Sequence, residues 1–224
     1  MIPLRDVIPS RTTPGVTITL IALNVVVYLF QLMLSERGQE AFIYAFGLVP
    51  AYFSVVNVLT AMFVHGGLAH LGGNMLFLWI FGDNVEDRLG HGRFLLFYVL
   101  CGFTAAIAQT ALNADSVVPM VGASGAIAGV MGAYLVLYPR SRVLMLFPFP
   151  VFLFELPAVV FLVIWFLVQF LNGINQLPVF EKNAISGGVA FWAHVMGFVA
   201  GLILVVFMRR PERATVEWWD TLGS

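Results

Sequence analysis

Residues 122–138 read GASGAIAGVMGAYLVLY, a run of 17 residues without a charge that Pro139 stops. As a helix this run is roughly 26 Å long at 1.5 Å per residue, shorter than the roughly 30 Å hydrocarbon core of a bilayer. Gly125, Gly129 and Gly132 line one face, which lets a second helix approach the backbone closely. A helix this short begins below the outer surface of a membrane. Residues 113–121 before it are then expected to dip inward, which irregular backbone does only where it lines a wet cavity or is buried in protein. Ser124 is thereby read as a hydroxyl at a submerged helix amino terminus with access to water.

The rest of the chain supplies the membrane. Of its 224 residues 60% are hydrophobic and 10% charged, and mean hydropathy is +0.94. Soluble domains are nearer half apolar and a quarter charged. This balance excludes an ordinary cytosolic enzyme, a nucleic-acid binder and a disordered chain. A net charge of −1 implies no strongly charged partner. The single cysteine, Cys101, excludes a disulfide framework and a multi-cysteine metal site. Five further apolar runs read as spans: 16–34, 68–82, 94–112, 151–171 and 189–208. The first is too long, and lacks the small-residue site, for a cleavable signal peptide. The expected fold is an all-α membrane protein, a six-transmembrane-helix bundle.

Basic residues set its orientation. Arg5, Arg11, Arg88, Arg93, Arg140, Arg142, Arg209, Arg210 and Arg213 fall on one side, and only Arg37 and Lys182 on the other. The positive-inside rule puts both termini in the cytoplasm. Residues 1–13 and 209–224 read as short cytoplasmic tails around a catalytic domain over 14–208. Short tails without a transit peptide point to a prokaryotic cytoplasmic membrane. Residues 35–67 form a long outer segment whose apolar stretches, 41–48 and 51–58, suggest contact with the membrane interface.

Polar side chains inside spans are costly and mark functional sites. His70 and Asn74 stand four apart on one helix face. Ser124 opens the fourth span, and His194 lies near the start of the sixth. In this orientation all four fall in the outer half of the bilayer. His194, Gly197 and Gly201 share one face of the sixth span, so packing against the glycine face of residues 122–138 brings His194 to Ser124. Serine needs a base to become a nucleophile, and imidazole is the usual one. His70, the Asn74 amide and backbone N–H groups at the helix start are suitable donors to a developing oxyanion.

Plainer readings stand beside these. Ser124 also suits helix packing, and His194 an interhelical hydrogen bond. His70 and Asn74 also suit bundle contacts, and His65 a buried structural role. Glu86 and Arg88 read as a structural loop network. Asn24, Gln109 and Gln169 read as helix–helix contacts. Trp192, Trp218 and Trp219 read as interface anchors. The fifth span, with Phe152, Phe154, Phe161, Phe166 and Phe170, is chiefly lipid-facing or packed.

The chain resembles the rhomboid intramembrane serine proteases. The matching pieces are His70-Leu71-Gly72-Gly73-Asn74, Gly122-Ala123-Ser124-Gly125, and Ala193-His194 followed by Gly197 and Gly201. Glu86-Asp87-Arg88-Leu89-Gly90 matches the family's E-x-R segment, and His65 also fits. The resemblance covers about residues 14 to 208. It implies a Ser124–His194 dyad without an acidic third member, and His70, Asn74 and the Ser124 backbone N–H as oxyanion stabilisers. It further implies transmembrane protein substrates cut near the outer face, with no metal and no cofactor. Two positions depart from the pattern. Val56-Asn57 stand where the family has Trp-Arg, and Ala128 stands where an aromatic often stacks on the histidine. Two other readings stay open: an inactive rhomboid-like protein that binds membrane clients, and a small transporter with Glu155 as its one candidate intramembrane carboxylate.

Overall fold

The computed structural model describes residues 2–175 and 190–210. Among them are eight α-helices: α1 (Gly15–Leu32), α2 (Glu36–Phe46), α3 (Val55–Ala61), α4 (Leu68–Leu89), α5 (His91–Leu112), α6 (Ser124–Leu137), α7 (Ala158–Asn175) and α8 (Phe191–Met208). Four of them, α1, α5, α7 and α8, are long and apolar enough to cross a membrane. α4 is as long as α5 but carries Asp83, Glu86, Asp87 and Arg88 in its last turns. α6 has 14 residues and lies at the centre, every residue from Gly125 to Tyr134 being buried.

Glycine decides how α6 packs. A methyl group added at Gly197 would strike the Gly125 carbonyl, and one at Gly201 the Gly129 carbonyl. α6 and α8 therefore run backbone against backbone. On the α5 side, a methyl at Gly125 would lie 2.6 Å from the Ala105 Cβ, and one at Gly129 2.5 Å from the Cys101 Cβ. α1 and α7 lie at the rim. Their outward residues, including Leu23, Val26 and Leu29 on α1 and Val163, Ile164, Leu167 and Val168 on α7, are exposed. Such apolar faces suit lipid; in water they are a liability.

The expectation of an all-α chain is corrected. Three antiparallel strands, β1 (Ile2–Asp6), β2 (Arg142–Pro148) and β3 (Val151–Pro157), form a sheet in the order β1-β2-β3. β2 and β3 make a hairpin that pairs Arg142 with Pro157 and Pro148 with Val151. The fifth span thus starts at Ala158 rather than residue 151, because Pro148, Pro150 and Pro157 punctuate the run and cannot sit inside a helix. Glu155 lies in β3, where it pairs with Arg142 at 3.2 Å. β1 comes from the segment read as an amino tail and shifts register between Pro3 and Arg5.

Glu86-Asp87-Arg88 is likewise corrected from a loop to the last turn of α4. The Glu86 side chain is fully buried. It accepts the N–H groups of Val16 (2.9 Å) and Thr17 (2.8 Å) and the Thr17 hydroxyl (2.7 Å). The first turn of a helix has N–H groups without intrahelical acceptors, and no side chain of its own caps α1. Glu86 therefore caps α1 from 70 residues away. Asp87 accepts the N–H groups of Arg11 (2.6 Å) and Thr12 (3.1 Å) just before it.

The segment before α4 is helical in part. Ser54 caps α3, and the Asn57 amide donates to the carbonyls of Ala45 (3.0 Å) and Gly47 (2.8 Å), tying α3 to the end of α2. Asn57 thus ties this segment together without a Trp-Arg pair. Lys182, Arg213, Trp218, Trp219 and residues 211–224 of the carboxyl tail lie outside the described residues.

Candidate active site

Ser124 is the first residue of α6. Before it, residues 116–122 are irregular and lie against the α2–α3 segment. Leu48 and Met120 exchange backbone hydrogen bonds of 2.9 and 2.8 Å, and the Gly122 N–H donates to the Ala61 carbonyl at 2.8 Å. The irregular backbone before α6 thus finds protein partners for Met120 and Gly122. Gly122 has φ +112°, a conformation that favours glycine. Its Cβ, if present, would lie 2.6 Å from His70 Nε2 and 3.4 Å from Asn74 Nδ2. The two side chains predicted as donors therefore converge on the backbone two residues before Ser124, where the first N–H groups of α6 have no intrahelical acceptor.

His194 stands in the first turn of α8 and is 8% exposed. The Ser124 hydroxyl donates to His194 Nε2 at 2.8 Å. On the other side of the ring, His194 Nδ1 donates to Gln169 Oε1, also at 2.8 Å. One imidazole proton, on Nδ1, satisfies both bonds and leaves Nε2 free to accept. The backbone packing of α6 on α8 fixes the distance, because Gly197 and Gly201 lie below His194 on the face that meets α6. The Ala193 N–H, an orphan of the α8 start, donates to Gln109 Oε1 at 3.1 Å.

Ala128 is buried and offers no ring to His194. Trp165 of α7 stands beside the imidazole instead, with ring centroids 5.9 Å apart at 37°. The reading of Gln169 as a helix–helix contact holds, and the contact is with His194 itself. Nothing in the spacing of the sequence pairs Gln169 with His194. The available signal was an amide in the apolar stretch of this helix, one turn after a tryptophan.

His65 is fully buried beside His70, their ring centroids 5.1 Å apart. Its Nδ1 faces the Phe63 carbonyl (3.3 Å), so its Nε2 accepts from Asn74 Nδ2 at 2.9 Å. This bond uses one of the two Asn74 N–H donors and orients the amide, leaving the second. Gln31 of α1 donates to the His65 carbonyl at 2.8 Å. A cavity of about 1190 Å³ is lined by His70, Asn74, Ser124, Trp165, Gln169 and His194, among others. A serine hydroxyl bonded to an imidazole, with polar side chains nearby and a cavity beside them, is an arrangement suited to acyl transfer. Glu86 and Arg88, by contrast, belong to the α4 end and stand with α1 and α8: Glu86 holds α1, and the Arg88 carbonyl accepts the Arg210 N–H at 2.9 Å.

A family model of the rhomboid domain matches residues 52–211. The chain is 44% identical over 86 residues to Rhomboid protease GluP of Bacillus subtilis, a match covering 38% of this chain and 16% of that protein. It is 32% identical over 150 residues to RHOMBOID-like protein 6, mitochondrial, of Arabidopsis thaliana, covering 67% of this chain and 44% of that one. Rhomboid protease AarA of Providencia stuartii is 26% identical over 222 residues, 90% of this chain and 75% of that protein. The chain thus spans less than half the length of the first two of these relatives.

Proposed function

The chain belongs to the rhomboid family of integral membrane proteins, and from that premise we propose that it is an intramembrane serine endopeptidase. Ser124 attacks the scissile carbonyl while His194 Nε2 takes its proton. His70, the free N–H of Asn74 and the Ser124 backbone N–H hold the oxyanion of the tetrahedral intermediate. His194 returns the proton to the leaving amine as the peptide bond breaks, leaving the acyl group on Ser124. Water, deprotonated by His194, then attacks the ester and frees the second product and the serine. The observation that carries the reading is the 2.8 Å bond from Ser124 Oγ to His194 Nε2 beside the cavity.

In this reading α1, α4, α5, α6, α7 and α8 are the six spans, with both termini cytoplasmic. The site opens toward the outer side, and the substrates are transmembrane proteins cut near that face. The orientation rests on the arginine distribution alone. The reading sets the protein in a prokaryotic cytoplasmic membrane; its relatives also include mitochondrial and chloroplastic proteins.

The test is cleavage of a single-span model substrate in liposomes, followed by mass spectrometry of the products. Wild-type protein is expected to cut and Ser124→Ala to be inert. A fluorophosphonate probe is expected to label the native serine and not Ser124→Ala. Cleavage that survives Ser124→Ala refutes the mechanism. A folded wild type that neither cuts nor labels supports the inactive client-binding reading instead.

A further inference from the structure

We propose that Gln169 is the positioning residue for the base: it holds His194 in the one tautomer and orientation that can accept the Ser124 proton. The inference rests on the protease reading above. Its ground is a pair of hydrogen bonds through one imidazole, Ser124 Oγ to His194 Nε2 and His194 Nδ1 to Gln169 Oε1, each 2.8 Å long. A neutral imidazole carries one proton. If that proton sits on Nε2, it points at the serine hydroxyl and the ring cannot act as a base. An acceptor at Nδ1 draws the proton there and leaves the Nε2 lone pair facing Ser124. Serine proteases outside membranes use a carboxylate for this task, and loss of the correct tautomer there costs about 10⁴-fold in kcat. Here the acceptor is a neutral amide, which sets the tautomer without bringing a charge into an apolar bundle, where an ionised group is costly.

The fold provides for this with two residues of one helix. Trp165 and Gln169 stand four apart on α7, so they share a face. Trp165 stands beside the imidazole, and Gln169 bonds its Nδ1. The structure thus replaces an aromatic at position 128 with a tryptophan from another helix and adds an acceptor beside it. Gln169 also lines the cavity, so a substitute of similar length there has room.

The experiment compares Gln169→Met, Gln169→Glu and Gln169→Lys with wild type in the liposome cleavage assay. Gln169→Met keeps length and flexibility but offers only a thioether, a weak acceptor. It is expected to lower kcat by about 10- to 100-fold with KM unchanged, and to slow fluorophosphonate labelling in step. Gln169→Glu, an acceptor at the same place, is expected to retain more kcat than Gln169→Met. Gln169→Lys, which only donates, is expected to fall at least as far as Gln169→Met. A merely structural residue would show no such ordering by acceptor strength. Wild-type kcat in Gln169→Met, or equal loss in Gln169→Glu and Gln169→Lys, overturns the inference. Should Gln169→Met fail to fold, the Glu and Lys pair decides alone. Ser124→Ala run alongside separates the two claims: activity persisting there refutes the protease reading, whereas activity lost there but intact in Gln169→Met refutes only the role of Gln169.

Discussion

Gly197→Ala adds one methyl group at the seam that sets the Ser124–His194 distance. The new Cβ would overlap the Gly125 carbonyl oxygen and stand 2.9 Å from its carbon. Carbon contacts rest at about 3.5 Å, and both partners are helix backbone that cannot swing aside. α8 is therefore driven about 1 Å from α6, the least shift that restores ordinary contacts. Gly125 adjoins Ser124, and Gly197 follows His194 by one turn of the same face, so the shift falls on the 2.8 Å bond between them. Lengthened to beyond about 3.5 Å, that contact no longer counts as a hydrogen bond. Overpacking alone costs about 1–3 kcal/mol of stability, which leaves a folded protein. A misplacement of about 1 Å at the reacting groups costs about 10²-fold in rate. The expected outcome is a variant that melts a few degrees lower in detergent but cleaves about 100-fold more slowly, with KM little changed and fluorophosphonate labelling slowed in parallel. Gly72→Ala is the control: no heavy atom lies within 4 Å of the added methyl, and a helical alanine is intrinsically favoured over glycine. A folded Gly197→Ala with wild-type kcat refutes the claim that glycine-to-backbone packing positions the dyad.

Gly122→Ala is expected to fold but to lose at least 10-fold in kcat, because its methyl would lie 2.6 Å from His70 Nε2 and removal of an oxyanion donor elsewhere costs about 10²–10³-fold; unchanged kcat would remove His70 from the oxyanion role. Glu86→Gln leaves either the Val16 N–H or the two Thr17 donors facing an amide NH₂, and turns the remaining charge-assisted bonds into neutral ones. At about 1–3 kcal/mol for an unsatisfied buried donor, the expected loss in denaturant or thermal unfolding is about 2–4 kcal/mol, and a variant as stable as wild type would show that the cap is idle. Asp6 accepts from the Tyr134 hydroxyl at 2.6 Å and the Asn84 amide at 3.1 Å, and burial pushes its carboxyl up from the ordinary 3.8 to about 6. A raised carboxyl pKa means the folded state holds a proton that the unfolded state has released, so stability falls as pH rises through about 4 to 6. Asp6→Asn removes this dependence: its melting temperature is expected to gain on wild type between pH 4 and pH 7, and a gap constant over that range would contradict it.

What could be read from the sequence divides along a physical line. Ser124, His70, Asn74 and His194 stood out because polar groups are few in apolar spans and each has to be accounted for. The glycine faces of α6 and α8 were legible because small residues at helical spacing have one packing consequence. The hairpin was not. Val143-Leu144-Met145-Leu146-Phe147 and Val151-Phe152-Leu153-Phe154 are continuous apolar runs, and such runs suit a buried strand as well as a membrane helix. Only the prolines between and after them distinguished the two. Glu86 as the cap of α1 was invisible for a different reason: its partners are backbone N–H groups of Val16 and Thr17, which every sequence has and none advertises.

The missing aromatic at position 128 shows how far one residue's absence can be interpreted. From the sequence, Ala128 left the orientation of His194 without a source. In the fold, Ala128 is fully buried in α6, whose neighbouring glycines lie backbone to backbone with α8. The ring contact comes from α7 instead, through Trp165. Moving the support to α7 changes what else can reach the histidine. Trp165 and Gln169 reach the ring together from α7, Trp165 beside it and Gln169 at Nδ1. The same substitution that removes one orienting contact therefore coincides with a helix carrying two. A residue on α7 that packs beside His194 and another that sets its proton form a unit, so Trp165→Ala and Gln169→Met are expected to be non-additive in kcat: the double variant is expected to lose little more than the worse single one. Losses that multiply in the double variant would mean that tryptophan and glutamine act on His194 independently.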